Sequence, residues 1–480
     1  MAGCTELAGD DSADAGDESA DGNGTGENGG NGENGTDENA GDGEDESEPE
    51  PEPETATELT VAFVDELGER RFARASELSD GIAAGNLEQF WMGYTAVHGE
   101  FEELLGTAEP DELTPQQERQ IGQLDVVDAT ISFADRTDEL RVAVDGGAVV
   151  FADYNSEYER PDYVDRGSFT ESSVTVSTGD CPLDGIATIP TPTARDADEV
   201  PGVVLVHGSG PADMDYASYG TRMFADLATG LASRGIATLR YDKRTAVCAV
   251  DPEDHTLDHV TVDDALAAID ELRALDGVDP DRIVVAGHSM GGKAAPRILD
   301  RDGELAGAAV LAAPARPMFT LFEEQYEHFA TVGDYEWPEM ETAYEQTQAA
   351  IERVQTGAYD RDEILLEYPG ALWASLEGYD PVETARAVDE PLFFLQGSRD
   401  YQVTLEDDFE LWERELAERP DTTFETYDGL DHRFMSGDGP SVSGEYMVRN
   451  NVERAVVDDL ADWVAERYPH SRETASRTED

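Results

Sequence analysis

Lysine is nearly missing from this chain. Of its 32 basic residues only Lys243 and Lys293 are lysines; the others are arginines. Against them stand 108 acidic residues, a net charge of −76. No basic patch remains to hold nucleic acid or anionic lipid, so neither is expected as a partner. Cysteine is almost as scarce, with Cys4, Cys181 and Cys248 only, and histidine occurs 8 times. No cluster with metal-ligand spacing is evident, and no metal or cofactor is expected. No run of about 20 apolar residues, the length a membrane-spanning helix needs, occurs anywhere.

The acid is spread over the whole chain rather than confined to a tail. An acidic interaction segment would concentrate it. Acid-rich and lysine-poor composition together match proteins that work in molar salt. There the Debye length falls to about 3 Å and screens the self-repulsion that dilute buffer leaves intact.

At 480 residues the chain can hold two domains and a large core. Residues 1–55 are excluded from both. From Asp10 to Glu54 the sequence is Gly, Asn, Asp, Glu, Ser and Pro with almost nothing apolar. It cannot bury enough surface to fold and reads as a disordered, self-repelling acidic tether. Its head, Ala2-Gly3-Cys4, is the end of a lipobox, without the basic and apolar stretches that normally precede one. Two readings stand: Cys4 is the lipid anchor of a surface lipoprotein, or the tripeptide is chance and the protein is cytoplasmic. The sequons at Asn23 and Asn34 agree with export. Cys181 and Cys248 would then be a disulfide pair or two buried thiols, which sequence alone leaves open.

Residues 56–154 form a first domain. Val61, Phe63, Val64 and Leu67 start one helix, and Leu87, Phe90, Trp91, Tyr94 and Phe101 recur near helical spacing in a second. Val126–Phe133, Leu140–Val144 and Ala148–Ala152 alternate as strands. Helices followed by an antiparallel meander predict an α+β cone. Residues 167–470 form a second domain. Antiparallel strands near Ser172–Val176 and Gly185–Ile189 open it. Alternating strand and helix patterns follow, which predict an α/β fold with a mainly parallel sheet. Residues 319–388 interrupt that alternation and predict a helical lid. Phe319, Phe322, Tyr326 and Phe329 share one helical face there, either as lid core or as lining of a substrate pocket.

The chemistry gathers at the ends of apolar runs. Ile283–Ala286 leads into Gly287-His288-Ser289-Met290-Gly291, and a helical stretch follows. This is a G-x-S-x-G nucleophile elbow, in which a strained strand-to-helix turn lifts the serine Oγ above the sheet. Downstream, Pro391–Gln396 ends in Gly397-Ser398-Arg399-Asp400, which places an acid just past a strand. Thr423–Tyr427 then leads into Asp428-Gly429-Leu430-Asp431-His432. The order Ser, Asp, His is that of a hydrolase triad on a parallel sheet. His432 is the expected base, and Asp400 the residue that orients it. Asp431 is a rival acid, but it is too close in sequence to reach the imidazole comfortably. Gly202–Val206 ends in His207-Gly208-Ser209-Gly210-Pro211. The backbone amides of Met290 and Ser209 are therefore the expected oxyanion-hole donors.

Taken in order, His207–Pro211 with Asp213 and Asp215, Leu239–Thr245, Gly287–Gly292 and Gly397–Val403 resemble a family of serine esterases. These are α/β-hydrolases related to the prolyl oligopeptidase clan, and the resemblance runs from about Gly167 to Tyr468. It implies hydrolysis of small carboxylic esters with short to medium acyl groups, Ser289, Asp400 and His432 as the catalytic residues, and no cofactor. The polar, Arg-containing stretch usual in the family is replaced here around Ala212–Met214. The first domain is similar to the nuclear-transport-factor-two-like domains that precede some bacterial hydrolases. Two other readings are a peptidase or acylaminoacyl hydrolase of the same clan, and a tethered binding module built on a hydrolase scaffold. The first usually carries a large propeller, which about 100 residues cannot build. The second has no need of an intact triad.

Overall fold

The computed structural model describes residues 55–110, 124–179, 181–194, 198–333 and 340–466. The acidic tether and Cys4 lie outside the described residues.

The first domain begins with three helices, α1 (Ala56–Gly68), α2 (Phe72–Glu77) and α3 (Ala84–His98). Thr55 starts α1 with a capping box: its hydroxyl accepts the Glu58 amide and Glu58 returns a bond to the Thr55 amide. A meander of four antiparallel strands follows: β1 (Phe101–Ala108), β2 (Asp125–Phe133), β3 (Thr137–Asp145) and β4 (Ala148–Tyr154). Phe63, Leu67, Leu87, Trp91, Tyr94, Ile131 and Leu140 fill the space between helices and sheet. Phe101 is a correction to the helical reading. Gly99 stops α3 at φ 78°, and Phe101 opens β1 instead. Its ring still reaches the helix, packing on Trp91 with centroids 5.6 Å apart.

The second domain is built on an eight-stranded sheet: β5 (Phe169–Val176), β6 (Leu183–Pro190), β7 (Val200–Val206), β8 (Ala237–Tyr241), β9 (Val278–His288), β10 (Gly307–Leu311), β11 (Leu392–Gly397) and β12 (Thr422–Tyr427). The spatial order is β12-β11-β10-β9-β7-β8-β6-β5. Pairing is parallel from β8 to β12 and antiparallel for β6 with β5 and β8. This is an α/β-hydrolase fold. Every residue of β7, β8, β10 and β11 is buried, as a strand covered on both faces requires. Two apolar clusters cover the two faces of the sheet. The strand order reverses at β7, which pairs with β8 on one side and β9 on the other. In open α/β sheets the ligand crevice lies outside the carboxyl ends of the strands at such a point. Here β7 ends at Val206, one residue before His207, and β9 at His288, one residue before Ser289.

The region 319–388 contributes α4 (Phe319–Thr331), α5 (Met340–Thr356), α6 (Gly370–Glu377) and α7 (Pro381–Ala387). Phe322 packs edge-on to Trp373 at 5.9 Å and to Tyr368 at 6.4 Å, so it is lid core. Phe329 meets Tyr401, beside Asp400, at 5.2 Å. Cys181 and Cys248 form a disulfide. It joins the start of β6 to the segment that follows β8, a tertiary proximity invisible in the sequence.

Candidate active site

Ser289 sits at φ 53°, ψ −118°, between β9 and the helix Met290–Asp302. A non-glycine residue holds such a conformation only where its surroundings impose it. Three features do so here. The Ser289 amide donates to Leu311 O at 2.8 Å. A Cβ at Gly287 would collide with the Gly291 carbonyl, and one at Gly291 with the carbonyls of Val206 and His207. The turn therefore packs directly on the end of β7. Met290 is the first helical residue, and its amide belongs to the helix-start amides that have no intrahelical acceptor.

Asp400 follows β11 and is buried. Its Oδ1 accepts the amides of Gln402 at 2.8 Å and Val403 at 3.0 Å. Its Oδ2 accepts Gln396 Nε2 at 2.8 Å and His432 Nδ1 at 2.7 Å. The carboxylate is thus fixed from four directions, with one reserved for the imidazole. His432 is itself held from behind, because His288 Nε2 donates to its carbonyl oxygen at 2.8 Å. That bond joins the residue before Ser289 to the histidine loop, and the His288 and His432 rings lie 4.6 Å apart. Burial, then the neighbouring His432, keeps the His288 pKa well below its usual value. His288 is neutral, so no second cation competes beside His432. Asp431 does not touch the imidazole. Its Oδ1 accepts the amides of Arg433 at 2.8 Å and Met435 at 3.0 Å and folds the loop.

Gly208 and Ser209 lie beside the elbow. An atom at the Cβ position of Gly208 would be 2.8 Å from Tyr216 Oη and 3.0 Å from Ser289 Cβ. His207 Nε2 donates to Asp213 O at 2.9 Å, with its pKa lowered to about 3 by burial and then by Lys243. Tyr368, from the 319–388 region, neighbours the Ser209 side chain; burial raises its own pKa to about 12. Tyr368 was not legible from the sequence, since nothing local marks a lid tyrosine as a neighbour of an oxyanion loop.

Both lysines of the chain are buried at this site. Lys243 Nζ donates to Gly208 O, and burial lowers its pKa to about 7. Lys293, one turn past Ser289, donates to Arg316 O at 2.8 Å and Pro314 O at 3.3 Å, its pKa lowered by burial to about 8. A compact ammonium can hold such carbonyls where the forked guanidinium of arginine would need more room. Lys293 also borders a cavity of about 360 Å³ between the nucleophile helix and the lid, with Met318, Phe319, Trp373, Leu376 and Tyr379. Among the four aromatics of the first lid helix, Phe319 is the one that reaches this cavity.

The first domain braces the histidine loop. Met447 and Val448 belong to its apolar core, and Asp438 N donates to Ala96 O at 2.8 Å. The lid holds the same loop: His328 Nε2 donates to Ser441 O at 2.7 Å, and its ring stacks on Tyr401 at 4.6 Å.

The sequence model of the Alpha/beta hydrolase family matches residues 203–441. Esterase EstD of Thermotoga maritima is 37% identical over 309 residues, which are 64% of this chain and 71% of that protein. The chain belongs to the α/β-hydrolase family. Among solved structures, Est1E from Butyrivibrio proteoclasticus superimposes with a TM-score of 0.40 at 16% identity, over 62% of this chain and 98% of Est1E. A puromycin-hydrolyzing peptidase of Mycobacterium tuberculosis gives a TM-score of 0.44 at 16% identity, over 71% of this chain and 46% of the peptidase.

Proposed function

We propose that the protein is a serine hydrolase that cleaves small carboxylic esters of short to medium acyl length through an acyl-enzyme. The observation that carries this reading is the 2.7 Å bond from His432 Nδ1 to Asp400 Oδ2, on a loop tied to the Ser289 elbow. The relationship to an esterase supports ester over amide substrates. In this mechanism His432 Nε2 takes the Ser289 proton as Oγ attacks the ester carbonyl. The tetrahedral oxyanion meets the amides of Met290 and Ser209, each worth on the order of 3 kcal/mol to the transition state. His432 then protonates the leaving alcohol, and the same steps with water release the acid. Asp400 orients the imidazole and stabilises its cation throughout.

The first domain, which we read as nuclear-transport-factor-two-like, serves in this proposal to steady the His432 loop. Among the described residues it has three helices and a four-stranded antiparallel sheet.

A panel of 4-nitrophenyl esters and aminoacyl 4-nitroanilides, run from molar to millimolar KCl, tests the reaction and the halophilic reading together. Ester turnover is expected to exceed amide turnover, and both turnover and the folded circular-dichroism spectrum are expected to be lost in dilute buffer. Faster anilide cleavage would favour the peptidase, and a spectrum and melting point indifferent to salt would refute the halophilic adaptation.

The protein acts at the cell surface, on a tether lipidated at Cys4. The Cys181–Cys248 disulfide supports export, because disulfides persist mainly in oxidising compartments. Product expressed together with its upstream genomic sequence should partition with membranes, and Cys4→Ser should release it. A product that stays in the soluble cytoplasmic fraction with Cys4 intact would leave a cytoplasmic esterase.

A further inference from the structure

Arg433 follows His432 and is half-buried. Its guanidinium lies over the ring of Tyr216 at 5.2 Å and over that of Tyr446 at 4.8 Å. Nη1 donates to Ser218 Oγ at 3.0 Å and reaches Thr221 Oγ1 at 3.5 Å. The backbone amide is anchored on Asp431. These contacts fix the guanidinium plane but engage one of its three nitrogens. Nε and Nη2 make no hydrogen bond among the described residues.

The chain has 108 acidic residues, and several arginines around the site are paired with them: Arg240 with Asp215 and Glu171, Arg244 with Asp264, Arg399 with Glu445. Arg433 forms no ion pair among the described residues. It also neighbours the site, through its sequence adjacency to His432 and through Tyr216. The ring of Tyr216, under its plane, lies 5.5 Å from the His288 ring, and its hydroxyl borders Gly208. Tyr446, on the other side, accepts a bond from Gln402, whose amide is held by Asp400. A rigid guanidinium with a free edge between the oxyanion loop and the acid loop suits a carboxylate, which can take two parallel N–H bonds. The long-range field of this protein repels anions, so an anionic ester needs such a local contact. Molar salt screens the field while leaving a direct hydrogen-bonded pair largely in place.

We propose that Arg433 is a specificity determinant that binds a carboxylate carried by the ester substrate. The proposal rests on the esterase reading and names its substrate class.

The test uses two matched ester pairs at fixed molar KCl. One carries the charge on the acyl side: mono-4-nitrophenyl glutarate against its methyl-capped diester. The other carries it on the alcohol side: 4-carboxyphenyl butyrate against its methyl ester. The readout is the ratio of kcat/KM for the anionic ester to that for its neutral twin. Arg433→Gln is expected to lower that ratio by about tenfold or more in one pair, mainly through KM, as loss of a charged hydrogen bond would. Arg433→Lys is expected to keep part of it. Unchanged ratios in both pairs, with anionic and neutral esters losing equally, would reduce Arg433 to a packing residue and overturn the proposal. Wild-type protein that hydrolyses none of the four esters would overturn the esterase reading as well. Should Arg433→Gln fail to fold, inhibition of the wild type decides. Glutarate is expected to compete with a neutral ester more strongly than uncharged glutaramide, and equal inhibition refutes the proposal.

Discussion

Ser289→Ala is expected to abolish ester turnover, lowering kcat by roughly 10⁶-fold, as removal of the nucleophile does in other serine hydrolases. The melting point in molar KCl should barely move. Alanine keeps the Cβ and meets the same steric cost at φ 53° that serine already bears. The elbow is imposed by Gly287, by Gly291 and by the Ser289 amide bond to Leu311 O, none of which involves Oγ. The substitution therefore removes one oxygen and leaves the turn standing. A fluorophosphonate probe should label the wild type and not the variant. Turnover near the wild-type rate in a clean preparation of the variant would refute the assignment of the nucleophile.

Ser289 and Asp400 are proposed from the sequence because each follows an apolar run that reads as a buried strand, and His432 because it follows an alternating one. β7 and β10 carry no polar side chain and β11 only Gln396, so their ends could be located, and loops of the site follow β7 and β11. Strand β1 was not legible. Its residues alternate neither in hydropathy nor in burial, and its pairing with β2 is interrupted twice by register shifts. A period-2 signal cannot survive that. Phe101 was misplaced because it packs on the helix it was assigned to, from the strand beside it. The disulfide, the Tyr368 contact with Ser209 and the hold of the first domain on residues 437–448 are contacts between distant segments. Local pattern carries no information about them. Lys243 and Lys293 were conspicuous by their rarity, yet only the fold shows that both are anchors of active-site loops.

Asp400→Asn is expected to lower kcat by about 10⁴-fold with little change in fold. An asparagine that keeps its oxygen toward the amides of Gln402 and Val403 turns its NH₂ toward His432 Nδ1 and Gln396 Nε2. The imidazole must then accept at Nδ1 and carry its proton on Nε2, the nitrogen that has to take the Ser289 proton. The imidazolium formed later would also lose the carboxylate beside it. Asp431→Asn provides the contrast. Burial, then the Glu445 carboxylate, raises the Asp431 pKa above the usual carboxylate range. An amide of the same shape can still accept the amides of Arg433 and Met435. The expected loss there is in stability of the loop, with kcat within about tenfold of wild type. Saturating ester turnover of the two variants in molar KCl separates the roles. If Asp431→Asn suffers the larger fall in kcat, the orienting acid is Asp431 and the bond from His432 to Asp400 is only structural.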